Sequence, residues 1–266
     1  MSLNAHKKRT GAEAVEEKGW LGAHKWLVLR RFSQLSILTL FLLGPLAGIW
    51  IVKGNLNYSY TLNFLPLTDP YVALQSLFSG HLPETLGLVG LLIAVVFYFL
   101  VGGRVYCSWV CPINMVTDAA GWLRDRLGIK GAGSLSRNTR YWILGMSLLG
   151  SALTGVVLWE LINPVSMLHR GLIFGLGSAW MIVLAIFFFD LFVMNRGWCG
   201  RLCPVGAFYS LLGRWSPVRV SATQRTACND CMDCFEVCPE PQVIRPALKG
   251  EGKGVGPVIL APNCTN

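Results

Sequence analysis

Charge is scarce in this 266-residue sequence: Asp, Glu, Lys and Arg make up 14% of it against 53% hydrophobic residues, and the mean hydropathy is +0.49. A soluble domain carries roughly a quarter of its residues as charges, so an ordinary soluble fold is excluded and a membrane protein is expected. Histidine is scarce too, with four in the chain and none inside an apolar span, which leaves a bis-histidine haem in a helix bundle unsupported. The absence of Cys-x2-Cys-His excludes covalent c-type haem, and neither a Walker loop nor Gly-x-Gly-x2-Gly occurs. What the chain does have is cysteine. Eight of its nine cysteines fall in three tight clusters, the pattern of metal sites rather than of a small secreted disulfide scaffold.

Crossing about 30 Å of hydrocarbon takes roughly 20 helical residues. Four stretches meet that length: Ser33 to Val52, Leu86 to Gly103, Tyr141 to Leu161 and Leu172 to Met194. The first follows a polar leader and has no A-x-A-like site after it, so it is expected to remain as an anchor. Lys and Arg number seven in 1–31, none in 54–85, six in 104–140, one in the short third connection and eight from 195 onward, with Lys53 at a boundary. By the positive-inside rule both termini and the 104–140 loop lie in the cytoplasm, and the 54–85 loop and the 163–171 turn face outward. This distribution accounts for the net charge of +9 without nucleic acid.

The two halves resemble each other. Asp69-Pro70 is followed by Arg104-x2-Cys107-x3-Cys111-Pro112, and Asn163-Pro164 by Arg196-x2-Cys199-x3-Cys203-Pro204, at similar spacing. The expected fold is therefore mainly α: a polytopic four-helix membrane domain, made of two repeated two-helix units, with a small C-terminal module. Residues at i and i+4 share a helix face, so each cysteine pair can converge. The proline after each pair ends one helix and opens the next, the first being an amphipathic interfacial segment from Ile113 to Leu127. Helix N-termini and the nearby Arg104 and Arg196 would stabilise thiolates. Cys107, Cys111, Cys199 and Cys203 together suit one iron-sulfur cluster, a single metal ion, or two thiol pairs in disulfide exchange.

Near the C-terminus, Cys228-x2-Cys231-x2-Cys234-x3-Cys238-Pro239 matches the bacterial ferredoxin run, where three thiolates grip one 4Fe-4S cluster and the fourth reaches a second. Zinc motifs come instead as separated pairs. A second cluster needs a second copy of the run, and Cys264 is the one cysteine that follows, so the native chain is expected to continue. The domains are then 1–31, a cytoplasmic leader; 32–220, the four-helix membrane domain; and 221–266, a ferredoxin-like 4Fe-4S module.

At this point the residues resemble a known family. Cys107-Ser108-Trp109-Val110-Cys111-Pro112, the run from Gly197 to Ala207 and the run from Cys231 to Pro241 look like the NapH family of ferredoxin-type membrane subunits of quinol dehydrogenases, within a wider group that includes NosR and CcoG. NosR-like proteins carry a large periplasmic flavin domain, for which the outer loops here are too short. The resemblance covers essentially the whole chain. It implies an inner-membrane protein that oxidises quinol and passes electrons through 4Fe-4S clusters to a NapG-type ferredoxin or a NapC-type cytochrome, toward the periplasmic nitrate reductase NapAB. A CcoG-like assembly factor would have the same modules. A thiol-disulfide transducer would need a reactive pair on the outer face, where no cysteine falls.

Quinol oxidation releases two protons, and Asp190 is the intramembrane group expected to accept one, because an ionisable residue in an apolar run is costly. Its structural alternative is an interfacial ion pair with Arg196 or Arg104. Glu160, His81 and His169 form a second proton-accepting set near the outer face. Small residues at Ser147, Ser151 and Gly155, and at Gly171, Gly175 and Ala179, favour close helix packing, and Gly44-Pro45 is expected to kink the first helix.

Overall fold

The computed structural model describes residues 12–129, 133, 135–175, 177, 179–228, 234–235, 238, 240–250 and 256–264. Helix α1 (Ala12–Ala47) leads into a three-stranded antiparallel meander, β1 (Val52–Gly54), β2 (Tyr58–Thr61) and β3 (Leu65–Thr68). Tyr58 stands opposite Thr68, and Val52 opposite Thr61. Then come α2 (Pro70–Phe78), α3 (Thr85–Val101), α4 (Ile113–Leu127), α5 (Thr139–Thr154), α6 (Pro164–Phe174), α7 (Ala179–Phe188) and α8 (Pro204–Leu212).

The repeat is larger than a pair of helices. Each half consists of a leading helix (α1 or α5), a short helix opened by an Asx-Pro cap (α2 or α6), an apolar helix (α3 or α7), a π-helical turn and a final helix (α4 or α8). The halves exchange partners: α1 packs on α6 as α5 packs on α2, and α4 packs on α7 as α8 packs on α3. Approximate twofold symmetry follows from these reciprocal contacts, and it places the ends of all four short and final helices together.

Several polar side chains are buried beside the apolar core, while many large apolar ones face outward. Arg104, Arg140, Gln34, Gln75 and Asp190 are buried, whereas Leu92, Phe97, Leu149, Leu153, Met181 and Phe192 stand exposed on α3, α5, α7 and the turn after it. Such a belt is far larger than the apolar patches a soluble monomer presents. Lys18–Ala47 is long and apolar enough to cross a membrane; Thr85–Val101 and Trp180–Val193 are apolar but shorter.

The continuous span expected over 172–194 is broken. Gly175 takes φ 97°, ends α6, and α7 starts afresh at Ala179, because a glycine without a Cβ pays least for that conformation. The segment expected as an outer turn, 163–171, is therefore mostly helix. Gly171 still serves close packing, with the Trp180 ring against its Cα, but Gly155 ends α5 in the left-handed conformation instead of joining a helix face. In α1 the helix runs through Pro45 to Ala47, and its kink lies at Gly19.

Candidate iron-sulfur site

Proline dictates the local geometry of both cysteine pairs. Tyr106–Val110 and Trp198–Leu202 are π-helical turns, closed by Cys111 N–H to Tyr106 C=O at 3.0 Å and by Cys203 N–H to Trp198 C=O at 2.9 Å. Cys111 and Cys203 are then extended, at φ −67°, ψ 118° and φ −67°, ψ 114°, as the clash with the following proline ring requires. α4 and α8 start directly afterward. π-turns of this kind recur at functional sites.

All four cysteines line one cavity. Its remaining wall contains Val72, Ile113, Val165 and Val205, one residue from the first turn of each of α2, α4, α6 and α8. Four helix N-termini thus converge, each carrying about half a positive charge. Asp69 caps α2 by accepting from Tyr71 N–H (2.8 Å) and Val72 N–H (3.1 Å), and Asn163 caps α6 by accepting from Val165 N–H (3.1 Å). The Cys111 thiol accepts from the Ile113 and Asn114 amides, and the Cys203 thiol from the Val205 and Gly206 amides. The two halves repeat each other down to these N–H···S bonds.

Without a cation the thiols stay protonated. Burial pushes all four up, Cys203 to about 12, and Cys107, Cys111 and Cys203 raise other members of the set further. Arg104 opposes this at Cys107. Among the described residues no three His, Cys, Asp or Glu side chains are gathered closely enough for a single metal ion, which at zinc-like bond lengths would draw sulfurs to about 4 Å of one another. Four thiols on one cavity, two of them accepting amide N–H bonds, suit an anionic iron-sulfur cluster.

Asp69 is the residue that reading by topology missed. The 54–85 loop was expected on the face opposite the cysteines, yet Asp69 and Asn163 both line the cysteine cavity. The loop turns back through the β-meander, which packs on α3 with Thr68 Oγ1 donating to Gly87 C=O at 3.1 Å. The signal was present as the paired Asx-Pro caps.

Asp190 lies outside the cavity wall. Asp190 belongs to a further π-helical turn, Phe189–Val193; its Oδ1 accepts from Trp198 N–H at 3.0 Å, tying that turn to Trp198–Leu202, and its Oδ2 has no hydrogen-bond partner. Arg196 pairs with Asp118 (3.1 Å) and Arg104 with Glu240 (2.9 Å) instead. Of the second proton-accepting set, Glu160 accepts from Asn57 (2.6 Å) and Asn163 (3.1 Å), both cavity residues. His81 is on the surface against Ser79, and His169 is buried edge-on to Phe41.

In the C-terminal module, Cys234 and Cys238 are joined by Cys238 N–H to Cys234 C=O at 3.3 Å. Cys264 is close enough to Cys238 to raise its thiol, although burial is the larger cause. Cys228 is partly buried; Cys231 lies outside the described residues. Burial alone would raise the Glu240 carboxyl, but Arg104 overrides it and holds the group below its usual range.

Comparison with known proteins gives this geometry a class. The family model described as a 4Fe-4S binding domain matches residues 84–130 and 176–222, each of which contains one of the two cysteine pairs. The methylamine utilization ferredoxin-type protein MauN of Methylorubrum extorquens is 54% identical over 91% of this chain and 84% of its own length. MauN of Paracoccus denitrificans is 56% identical over 94% and 88%, and the ferredoxin-type protein NapH of Escherichia coli is 51% identical over 93% and 86%. No solved structure matches. These matches define a ferredoxin-type electron-transport protein with a 4Fe-4S binding domain. The chain belongs to the family of ferredoxin-type proteins that includes NapH and MauN.

Proposed function

We propose that this chain is the multi-pass inner-membrane subunit of a quinol dehydrogenase, passing electrons from the quinol pool through iron-sulfur centres, and that Cys107, Cys111, Cys199 and Cys203 together hold one of those centres. The observation that carries the reading is the convergence of these four cysteines with four helix N-termini in one cavity. Such a cradle stabilises an anionic group bound by thiolates, and the 4Fe-4S family model falls on the same two segments. When bound, the cluster supplies one-electron chemistry. The chain's own residues exclude water, fix the sulfurs through the π-turns, and donate amide N–H groups to Cys111 and Cys203.

The exposed apolar belt supports a bilayer location, with both termini on the cytoplasmic side. Two carboxyls serve proton release in this reading: Asp69 on the cavity wall and Asp190 with its unpartnered Oδ2. Cys228, Cys231, Cys234 and Cys238 hold a further 4Fe-4S cluster or clusters together with Cys264. The electrons leave for a NapG-type ferredoxin or NapC-type cytochrome and so for periplasmic nitrate reductase. A second reading, favoured by the identity to two MauN proteins, sets the same membrane unit in methylamine utilization.

Anaerobic EPR of the purified protein before and after adding menaquinol or ubiquinol tests the reading. A cluster signal that quinol reduces, and that disappears when the four cavity cysteines are changed to Ala, is expected. Clusters that stay oxidised with both quinols overturn it.

A further inference from the structure

The arginine that opens each repeated motif, three residues before the first cysteine, reaches the C-terminal segment. Arg104 is 2% exposed, and its guanidinium bridges the four-cysteine site and the C-terminal segment. On one side it bonds the Cys107 thiol and the Cys199 carbonyl (3.3 Å); on the other it bonds Glu240 (2.9 Å), two residues beyond Cys238, and the Asn263 carbonyl (3.3 Å), next to Cys264. Its repeat partner Arg196 donates to the Cys238 carbonyl at 2.9 Å while anchored on Asp118 at 3.1 Å. A small second cavity lies between them, lined by Arg104, Arg196, Cys107, Cys199 and Glu240.

We infer that Arg104 and Arg196 are positioning residues that latch the C-terminal cysteine module onto the four-cysteine site, and that the charge of Arg104, balanced by Glu240, sets the reduction potential of the module's cluster. The inference rests on the reading that both cysteine sets hold iron-sulfur centres. A buried guanidinium keeps its charge throughout. Adding an electron to a cluster adds negative charge, so a fixed cation beside it favours the reduced state and a fixed carboxylate disfavours it. Glu240 also makes the latch a buried pair, costly to break from either side.

The test uses the membrane-extracted full chain with its clusters, in wild type and in Arg104→Gln, Glu240→Gln and the Arg104→Gln/Glu240→Gln double variant. EPR-monitored redox titration reads the C-terminal cluster, and hydrogen exchange reads the 240–250 segment. Both single variants are expected to speed exchange there, because each leaves a buried partner unpaired. Their potentials are expected to move in opposite directions, down for Arg104→Gln and up for Glu240→Gln. The double variant should return toward wild type in both readouts. A purely structural contact would move exchange without opposite potential shifts, and that result, or unchanged exchange, overturns the inference. If Arg104→Gln does not assemble, Arg196→Gln takes its place, with faster exchange and a lowered potential expected and unchanged values contrary. Failure of quinol to reduce the wild-type protein would strike the function proposed above and leave these shifts to be read on their own.

Discussion

Tyr209 donates a hydrogen bond from its hydroxyl to Asp69 Oδ2 at 3.2 Å, joining α8 of the second half to the N-cap of α2 in the first. This bond spans two segments that the positive-inside count assigns to opposite faces. It also stacks the Tyr209 ring on Tyr106, centroids 4.9 Å apart, directly beside the first cysteine pair. The cavity is held closed from both halves at once.

Asp69 gives a pH test. Burial raises its carboxyl to about 6, against the two amide bonds and the Tyr209 bond that lower it. The folded protein therefore binds a proton more readily than the unfolded chain between about 4 and 6, and stability from this group falls as pH rises through that window, then levels off. Asp69→Asn, which keeps the cap as Asn163 does in the other half, should flatten this part of the profile. Asp69→Ala should cost about 1 kcal/mol for the cap alone. Thermal unfolding in detergent between pH 4 and 8 measures both.

Gly103 tests the crossing of the halves. A Cβ there would lie 1.8 Å from the Tyr209 carbonyl oxygen and 2.7 Å from the Gly213 nitrogen, both backbone atoms. Gly103→Ala should abolish the monodisperse folded protein. Gly145→Ala, in the interior of α5 with nothing within 4 Å, should be neutral or stabilise by up to about 1 kcal/mol. Size-exclusion thermostability separates the two.

Gln34 holds the first cysteine pair from α1. Its amide donates to the Ser108 carbonyl at 2.9 Å and the Cys111 carbonyl at 3.2 Å, and the side chain is fully buried. Gln34→Leu leaves those carbonyls short of a donor, at a cost of about 1–3 kcal/mol. In metal-free protein, Cys107 and Cys111 should then react faster with a maleimide while Cys199 and Cys203 keep their rate. Equal acceleration at both pairs would show that Gln34 acts on the whole fold.

Much of this site is legible in the sequence. The repeated Arg-x2-Cys-x3-Cys-Pro segments announce the cysteine pairs, and pre-proline sterics predict the extended Cys111 and Cys203. The Asx-Pro caps are visible as part of the repeat. Their destination is not, because hydropathy reports whether a segment is apolar and says nothing of a polar loop that turns back. Gly175 likewise hides a helix break inside an apolar run, since lipid-facing and buried positions read alike. Arg104 and Arg196 were read as anion-stabilising neighbours of the thiolates. Their contacts to Glu240 and Cys238 arise from how the C-terminal segment lies across the halves, and no local pattern encodes that.

The central claim is that two half-sites share one centre. Iron and acid-labile sulfide analysis of the chain with Cys228, Cys231, Cys234, Cys238 and Cys264 all changed to Ser measures it most directly, alone and with either Cys107 and Cys111 or Cys199 and Cys203 also changed to Ala. The account predicts about four irons and four sulfides per chain in the first protein, and none once either pair is gone. Iron that survives the loss of one pair at half its amount, or no iron in the first protein, would contradict it.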